Sequence, residues 1–300
     1  MKRIVSLVLV AGLLTIAAFG HIDDSHFESR QEVTIKVIKV SGNVYMLQGR
    51  GGNIGVIVGA DGILIIDDDY KAVSEKLRAA LKELGSATPR YVLNTHWHGD
   101  HTEGNQTFGR ESIIVAHTNV RKRLSQVNTI FGQAVQPYES FAWPTITYDD
   151  SLTIHFDGED IKAVHYPNGH TDGDSVIFFP KANVVHMGDD FFAGRFPFVD
   201  LESGGSVQGM INNVASITAM LPADAKVIPG HGPLSTVEDL KAYHRTLVET
   251  SKIVQDEMKK NKTLDEIKKA GLPDKYKDFG SGFIKTDAWV ETVYKSYSKK

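Results

Sequence analysis

Thr95-His96-Trp97-His98-Gly99-Asp100-His101 places four potential metal ligands within six residues. His96 and His98, two apart, share one face if the segment stays extended. Asp100 and His101 then need a bend, and Gly99, lacking a Cβ, is the residue expected to provide it. The preceding Tyr91-Val92-Leu93-Asn94 reads as a buried strand, so the ligands should leave from a rigid edge. Two further short clusters follow, Asn168-Gly169-His170-Thr171-Asp172 and Pro229-Gly230-His231-Gly232-Pro233, with Gly188-Asp189 between them. Imidazole and carboxylate are ligand types that suit zinc, iron and manganese, and five histidines with two aspartates suffice for two ions. A lone histidine is more often a hydrogen-bonded core or loop residue, but clustering at this spacing argues for metal.

The remaining histidines keep that ordinary reading, because none has a second ligand type beside it at metal spacing. His186, three residues before Asp189, belongs to the apolar run Val184-Val185-His186-Met187 and is expected to pack there.

The His-x-His-x-Asp-His run, the later Gly-His-Thr, the Gly-Asp after a strand and the final Pro-Gly-His-Gly resemble the metallo-β-lactamase superfamily, in its order and over roughly residues 35 to 235. The resemblance implies that His96, His98 and His170 hold one metal, that Asp100, His101 and His231 hold the other, and that Asp189 bridges them. The local text is most similar to the di-zinc β-lactamases that use a cysteine ligand. Here the chain departs, for it has no cysteine, and Asp189 stands in the thiolate position as in glyoxalase II. Those β-lactamases also place a lysine three residues further on to grip a substrate carboxylate. This chain has Phe192 there, and Arg195 is the nearest substitute. Their long flap corresponds to the short Gln48-Gly49-Arg50-Gly51-Gly52-Asn53, so β-lactam hydrolysis is expected to be weak.

Three hundred residues with 41% hydrophobic and 23% charged side chains suit one α/β catalytic domain. Lys2 and Arg3 precede an apolar stretch from Ile4 to Phe19, and Ala18-Phe19-Gly20 ends it as a small-x-small cleavage site. Residues 1–20 therefore read as a secretory signal peptide and residues 21–300 as a single hydrolase domain, periplasmic or secreted. An uncleaved anchor is the other reading, but the stretch falls just short of the roughly 17 to 25 residues that span a bilayer. An exported chain without cysteines has no disulfides, so its fold must rely on core and metals. Losing Lys2 and Arg3 makes the formal net charge of −4 more negative still, which argues against nucleic acid as a partner. No stable membrane association is expected after cleavage.

Strand-like runs cover Val33 to Val40, Val44 to Gln48, Ile54 to Val58 and Ile63 to Ile66, then Tyr91 to Asn94 and Ile113 to Ala116. A second batch covers Leu152 to Phe156, Ile161 to His165, Val176 to Phe179, Val184 to Met187 and Lys226 to Ile228. Helices are expected at Lys71 to Leu84, Ser206 to Leu221 and Thr236 to Lys259, with helical segments in the tail from Lys262. Two batches of strands with interspersed helices predict an αββα four-layer sandwich of the α/β class, two mixed β-sheets flanked by helices, with the metals at one edge.

The function this implies is a dinuclear zinc hydrolase, iron or manganese being alternatives, that acts on a small-molecule ester, lactone, thioester or amide. Zinc lowers the pKa of bound water from about 15.7 to about 7, so a hydroxide bridging the metals would be the nucleophile, oriented by Asp100. The rival reading is a non-hydrolytic member of the fold, a di-iron oxidoreductase or a metal-dependent binding protein. Asp172 reads equally as a brace for the site or as a turn former, and Asp67, ending the run Leu64-Ile65-Ile66, as a further brace. Phe131, Tyr138, Phe141 and Trp143 in the loop from Asn128 to Thr147 either line a pocket for an apolar acyl group or pack beneath the loop.

Overall fold

Apolar runs with few breaks form the centre of each sheet. In the computed structural model, which describes residues 33–298, the first sheet begins with β1 (Lys36–Ser41), β2 (Val44–Gln48), β3 (Ile54–Gly59) and β4 (Gly62–Ile66), an antiparallel meander. Helix α1 (Ser74–Leu84) then crosses over to β5 (Tyr91–Leu93), which pairs with β4 in parallel, and β6 (Ile113–His117) extends the parallel part. Between them lie two single-turn helices, α2 (Gly99–Thr102) and α3 (Asn105–Phe108), and after β6 comes α4 (Thr118–Leu124).

The segment expected to be irregular contains a separate hairpin, β7 (Asn128–Ile130) with β8 (Gln133–Val135), and an edge strand, β9 (Ile146–Tyr148), beside β6. The second sheet runs in spatial order β10 (Ser151–Phe156), β11 (Glu159–His165), β12 (Ser175–Phe179), β13 (Val184–His186), β14 (Lys226–Ile228) and β15 (Ser235–Thr236). Helices α5 (Val207–Met220), α6 (Val237–Lys259), α7 (Leu264–Ala270) and α8 (Thr286–Ser298) complete the chain.

Alternation along the strands explains the layering. Met46, Ile57, Leu64 and Val115 of the first sheet meet Phe156, Ile161, Ile177 and Ile228 of the second in one buried cluster. The opposite faces carry helices: Leu77 and Leu81 of α1 pack on Val56, Ile65 and Val92, while α5, α6 and α8 cover Val176, Val185 and Val227. The expected αββα arrangement is therefore present, an α/β fold of two mixed sheets flanked by helices.

Strand direction positions the site. The C-terminal ends of β4, β5, β11, β13 and β14 and the connection between β2 and β3 all reach the same edge. The predicted elements fall close to the observed ones, although β1 starts at Lys36 rather than Val33. The predicted export segment over residues 1–20 lies outside the described residues. Among the described residues no helix is long and apolar enough to cross a membrane.

Candidate metal centre

The chain leaves β5 at Leu93, bends through Thr95 to Trp97 and enters α2 at Gly99. The segment is neither extended, as the spacing of His96 and His98 suggested, nor turned by a left-handed glycine. His98 caps α2 in an extended conformation, the turn of helix swings Asp100 and His101 inward, and Gly99 is absent from the positive-φ positions. His170 comes from the loop between β11 and β12, Asp189 from the 3-10 turn Gly188–Asp190 after β13, and His231 from the turn after β14.

The seven predicted ligands converge. His96, His98, His170 and Asp189 form one group and Asp100, His101 and His231 another, the donor atoms of each group lying within 4.8 Å of one another. Asp189 faces both. Its Oδ2 is 3.4 Å from His170 Nε2 and 3.8 Å from His96 Nε2, while its Oδ1 is 3.1 Å from His101 Nε2 and 3.5 Å from His231 Nε2.

Three of the imidazoles are held by the nitrogen that points away from the centre. A carboxylate and a carbonyl only accept, so the ring nitrogen facing them donates and the other is the one turned toward the centre. His101 Nδ1 donates to Asp67 Oδ2 at 2.8 Å, His98 Nε2 to Asp200 Oδ2 at 3.0 Å and His170 Nδ1 to the Phe198 carbonyl at 2.7 Å. Asp67 also accepts from Thr95 N and Oγ1, and its φ of 63° lies in the left-handed region that Asp tolerates better than most residues. It is the brace expected from its place at the end of β4.

Asp172, left open between two readings, instead pairs with Arg123 through both carboxylate oxygens. Asp174 ties the His170 loop by accepting from Thr171 N. His186 packs as expected, its Nε2 3.0 Å from the Asn53 carbonyl and its Nδ1 accepting from Gly188 N. Asp200 carried no signal in the sequence, because its role exists only through its approach to a histidine 102 residues away.

Two glycines allow the close approach of backbone to these side chains. A Cβ on Gly52 would sit 2.1 Å from His101 Cε1, and one on Gly230 would sit 2.0 Å from Asp189 Oδ1. The short connection from Gln48 to Asn53 is thus pressed against the cluster, with Gly52 N donating to the Asp100 carbonyl and Asn53 N to that of Gly230.

Electrostatics separate the two groups. Burial holds the pKa of His170 down to about 4 and that of His96 well below the usual range, so both are neutral at pH 7. Burial also opposes a charge on His231, but Asp189 and the hydrogen bond to Asp100 outweigh it and push the pKa up to about 9. His101 is raised in the same sense by Asp189, Asp100 and Asp67 against its burial. Asp100, despite burial, is held down to about 2 by His101 and His231. Buried carboxylates that need two protonated imidazoles as counter-charges are a setting in which a cation replaces protons. His96 Nε2 is buried without any hydrogen-bond partner, as an atom reserved for a metal would be. The donor set fits two cations.

The centre opens into a cavity of about 440 Å³ bordered by Asp100, His231, Arg50 and Arg195. Phe192 lies flat against His231, ring centroids 5.2 Å apart, where the comparable enzymes were expected to carry a lysine. Arg195 is half-buried and has no ion pair among the described residues. Of the loop aromatics, Phe131 and Tyr138 border the cavity, whereas Phe141 lies under Arg110 and the Trp143 indole donates to the Tyr138 carbonyl.

An αββα sandwich with imidazole and carboxylate donors converging on one edge defines a class of metal-dependent enzymes. Residues 47–231 match the family model described as the metallo-beta-lactamase superfamily, and the chain belongs to that superfamily, whose members are typically metal-dependent hydrolases. The lactamase-like protein adaB of Aspergillus niger is 24% identical over 222 residues, 73% of this chain. The chain spans 61% of that relative's length. The probable metallo-hydrolase YqgX of Bacillus subtilis is 28% identical over 192 residues, 59% of this chain and 87% of the relative. Among solved structures, the DIM-1 metallo-beta-lactamase superposes with a TM-score of 0.59 at 20% identity, over 73% of this chain and all of the other, which shows a shared fold.

Proposed function

We propose that this protein is a hydrolase with two divalent cations, zinc in the first instance, that cleaves an ester, lactone, thioester or amide in a small molecule. The observation that carries the reading is Asp189, one oxygen toward each triad of ligands. His96, His98 and His170 would hold one cation, Asp100, His101 and His231 the other, and Asp189 both. Two cations so held supply Lewis acidity toward a carbonyl and acidify water at neutral pH. Asp100, half-buried like His231 and ionised, is placed to orient the attacking water. Asp67, Asp200 and the Phe198 carbonyl keep the rings fixed while charge develops, so little reorganisation is needed.

Arg195, a cation at the rim with no ion pair among the described residues, is assigned to a substrate anion. Arg195→Ala should raise KM for anionic substrates more than for neutral ones, and equal effects on both would remove that role. Export is part of the same reading and rests on Lys2, Arg3 and the apolar stretch behind them.

Elemental analysis of protein purified without added metal tests the centre. Two zinc atoms per chain are expected, and His96→Ala should lose both metal and hydrolysis. Because Asp189 is a hard oxygen ligand that favours zinc less than a thiolate does, two iron atoms are the specific result that would replace a hydrolytic role with a redox one. A panel of nitrocefin, homoserine lactones, lactoylglutathione and aryl esters then identifies the bond cleaved.

A further inference from the structure

One wall of the cavity is a row of phenyl rings that starts at the proposed ligands. Phe198 lies 5.5 Å from His98 and 5.6 Å from His170, Phe131 lies 4.7 Å from Phe198, and Phe283 lies 6.0 Å from Phe131, all between ring centroids. The two outer rings are exposed to the extent of 61% and 75%, the two largest values among the exposed large apolar side chains of the described residues. Rings of this size in water, continuous with a catalytic cavity, mark an apolar binding surface.

The two outer rings come from segments far apart in the chain. Phe131 and Gly132 form the two-residue turn of the β7–β8 hairpin, at φ 51° and 72°. Left-handed backbone at a bulky residue is uncommon, and here it turns the phenyl toward the cavity rather than leaving an Asn or Gly at the tip. Phe283 lies beyond residue 231, where the family match ends. Its segment is anchored on both sides: Phe196 N donates to the Phe279 carbonyl, and the buried Trp289 of α8 stacks on Phe196 and donates to Thr250 Oγ1. Gly282 rests against the stem of Arg195, where an added Cβ would meet Arg195 Cβ at 3.1 Å. The C-terminal segment therefore carries one ring of the wall and backs the rim cation.

We infer that Phe131 and Phe283 form a jaw over Phe198 that selects substrates whose hydrolysable bond is attached to an extended apolar group, a straight acyl or alkyl chain laid along the row of rings. The inference rests on the hydrolase reading for its scissile bond, but the apolar surface is a binding property that is measured without turnover. A second copy of this chain or a lipid surface would cover the same rings, but neither would require them to line up with His98 and His170.

The test uses the full-length metal-loaded protein, with straight-chain monocarboxylates from acetate to decanoate in calorimetry and the matching p-nitrophenyl esters in hydrolysis, below their micellar concentrations. Affinity and kcat/KM should rise with each added methylene, by up to about fourfold while the chain still lies on the rings. Phe131→Ser and Phe283→Ser should flatten that slope, and Phe283→Leu should restore most of it. Since both side chains are exposed, the melting temperature and metal content of the variants should match the parent, separating the effect from misfolding. Esters cleaved with no dependence on length would overturn the jaw and leave the hydrolase standing. Acids that bind more tightly with length, less so in the serine variants, while no ester is cleaved, would sustain the jaw and sink the hydrolase. Serine variants that lose self-association in sedimentation while keeping the parental slope would reassign the rings to a contact between copies.

Discussion

At the scale of single residues the centre is governed by where protons sit. The triad of Asp100, His101 and His231 holds protons that a cation must displace, whereas His96 and His170 are already neutral. The His231 pKa is raised to about 9, so at pH 7 its proton opposes binding, and that opposition disappears as pH rises through 9. Zinc affinity of the Asp100 triad should therefore increase at least about tenfold per pH unit up to about pH 9, while the His96 group stays nearly constant over the same range. Competition titrations against a chelator at fixed pH values measure both, and parallel pH slopes for the two ions would contradict this. Asp67→Asn replaces the charged acceptor of His101 Nδ1 with a neutral one, and should weaken zinc binding and turnover by about 10- to 100-fold with the fold intact by circular dichroism. The seven converging side chains were legible in the sequence because each carries ligand chemistry at a spacing that few other demands produce. Asp67 was half legible from its place at a strand end. Asp200 was not, since an isolated aspartate acquires meaning only from the ring it meets.

At the scale of elements, the long apolar runs told strand from helix well, because β3, β4, β12 and β13 are buried over most of their length and α1 and α6 each present one apolar face. The segment from Asn128 to Thr147 was misread as loop for a definable reason. Its strands are three residues long, too short for alternation to register, and its hairpin turns on Phe-Gly rather than on the Asn-Gly or Asp-Gly signal. Helices α2, α3 and α4, at four to seven residues, likewise lack the two turns that a helical period needs. Where caps are strong the ends were clear. Thr236 and Asp239 form a reciprocal capping box at the start of α6, immediately after the turn that carries His231. Thr236→Ala should cost about 1 kcal/mol and lower the melting temperature by roughly 2–4 °C in calorimetry.

At the scale of the whole molecule, the metal edge is the place where both sheets are tied together. The candidate ligands reach it from β5 in the first sheet and from β11, β13 and β14 in the second, and cysteine-free chemistry leaves no disulfide to share that task. A cation bound only by the folded chain stabilises it by about 2.7 kcal/mol when free metal is a hundred times its dissociation constant. Removal of metal with a chelator should lower the melting temperature by several degrees, and restoring zinc should recover it. A melting temperature indifferent to both would mean that the sheets hold together without the ions. The sandwich itself was legible because two batches of strands are separated in the chain. The aromatic row was not, since Phe131, Phe198 and Phe283 come from three distant segments that only the tertiary fold brings into line.

Asp189 meets both triads through oxygen, and one consequence reaches beyond geometry. No sulfur stands among the converging donors, and the neighbouring Met187 is buried. Peroxide therefore finds no thiolate there to carry toward sulfenic or sulfonic acid, and iodoacetamide finds no thiol to cap. Catalysis should survive exposure to either agent at doses that silence thiolate-dependent enzymes, a tolerance suited to surroundings rich in oxidants.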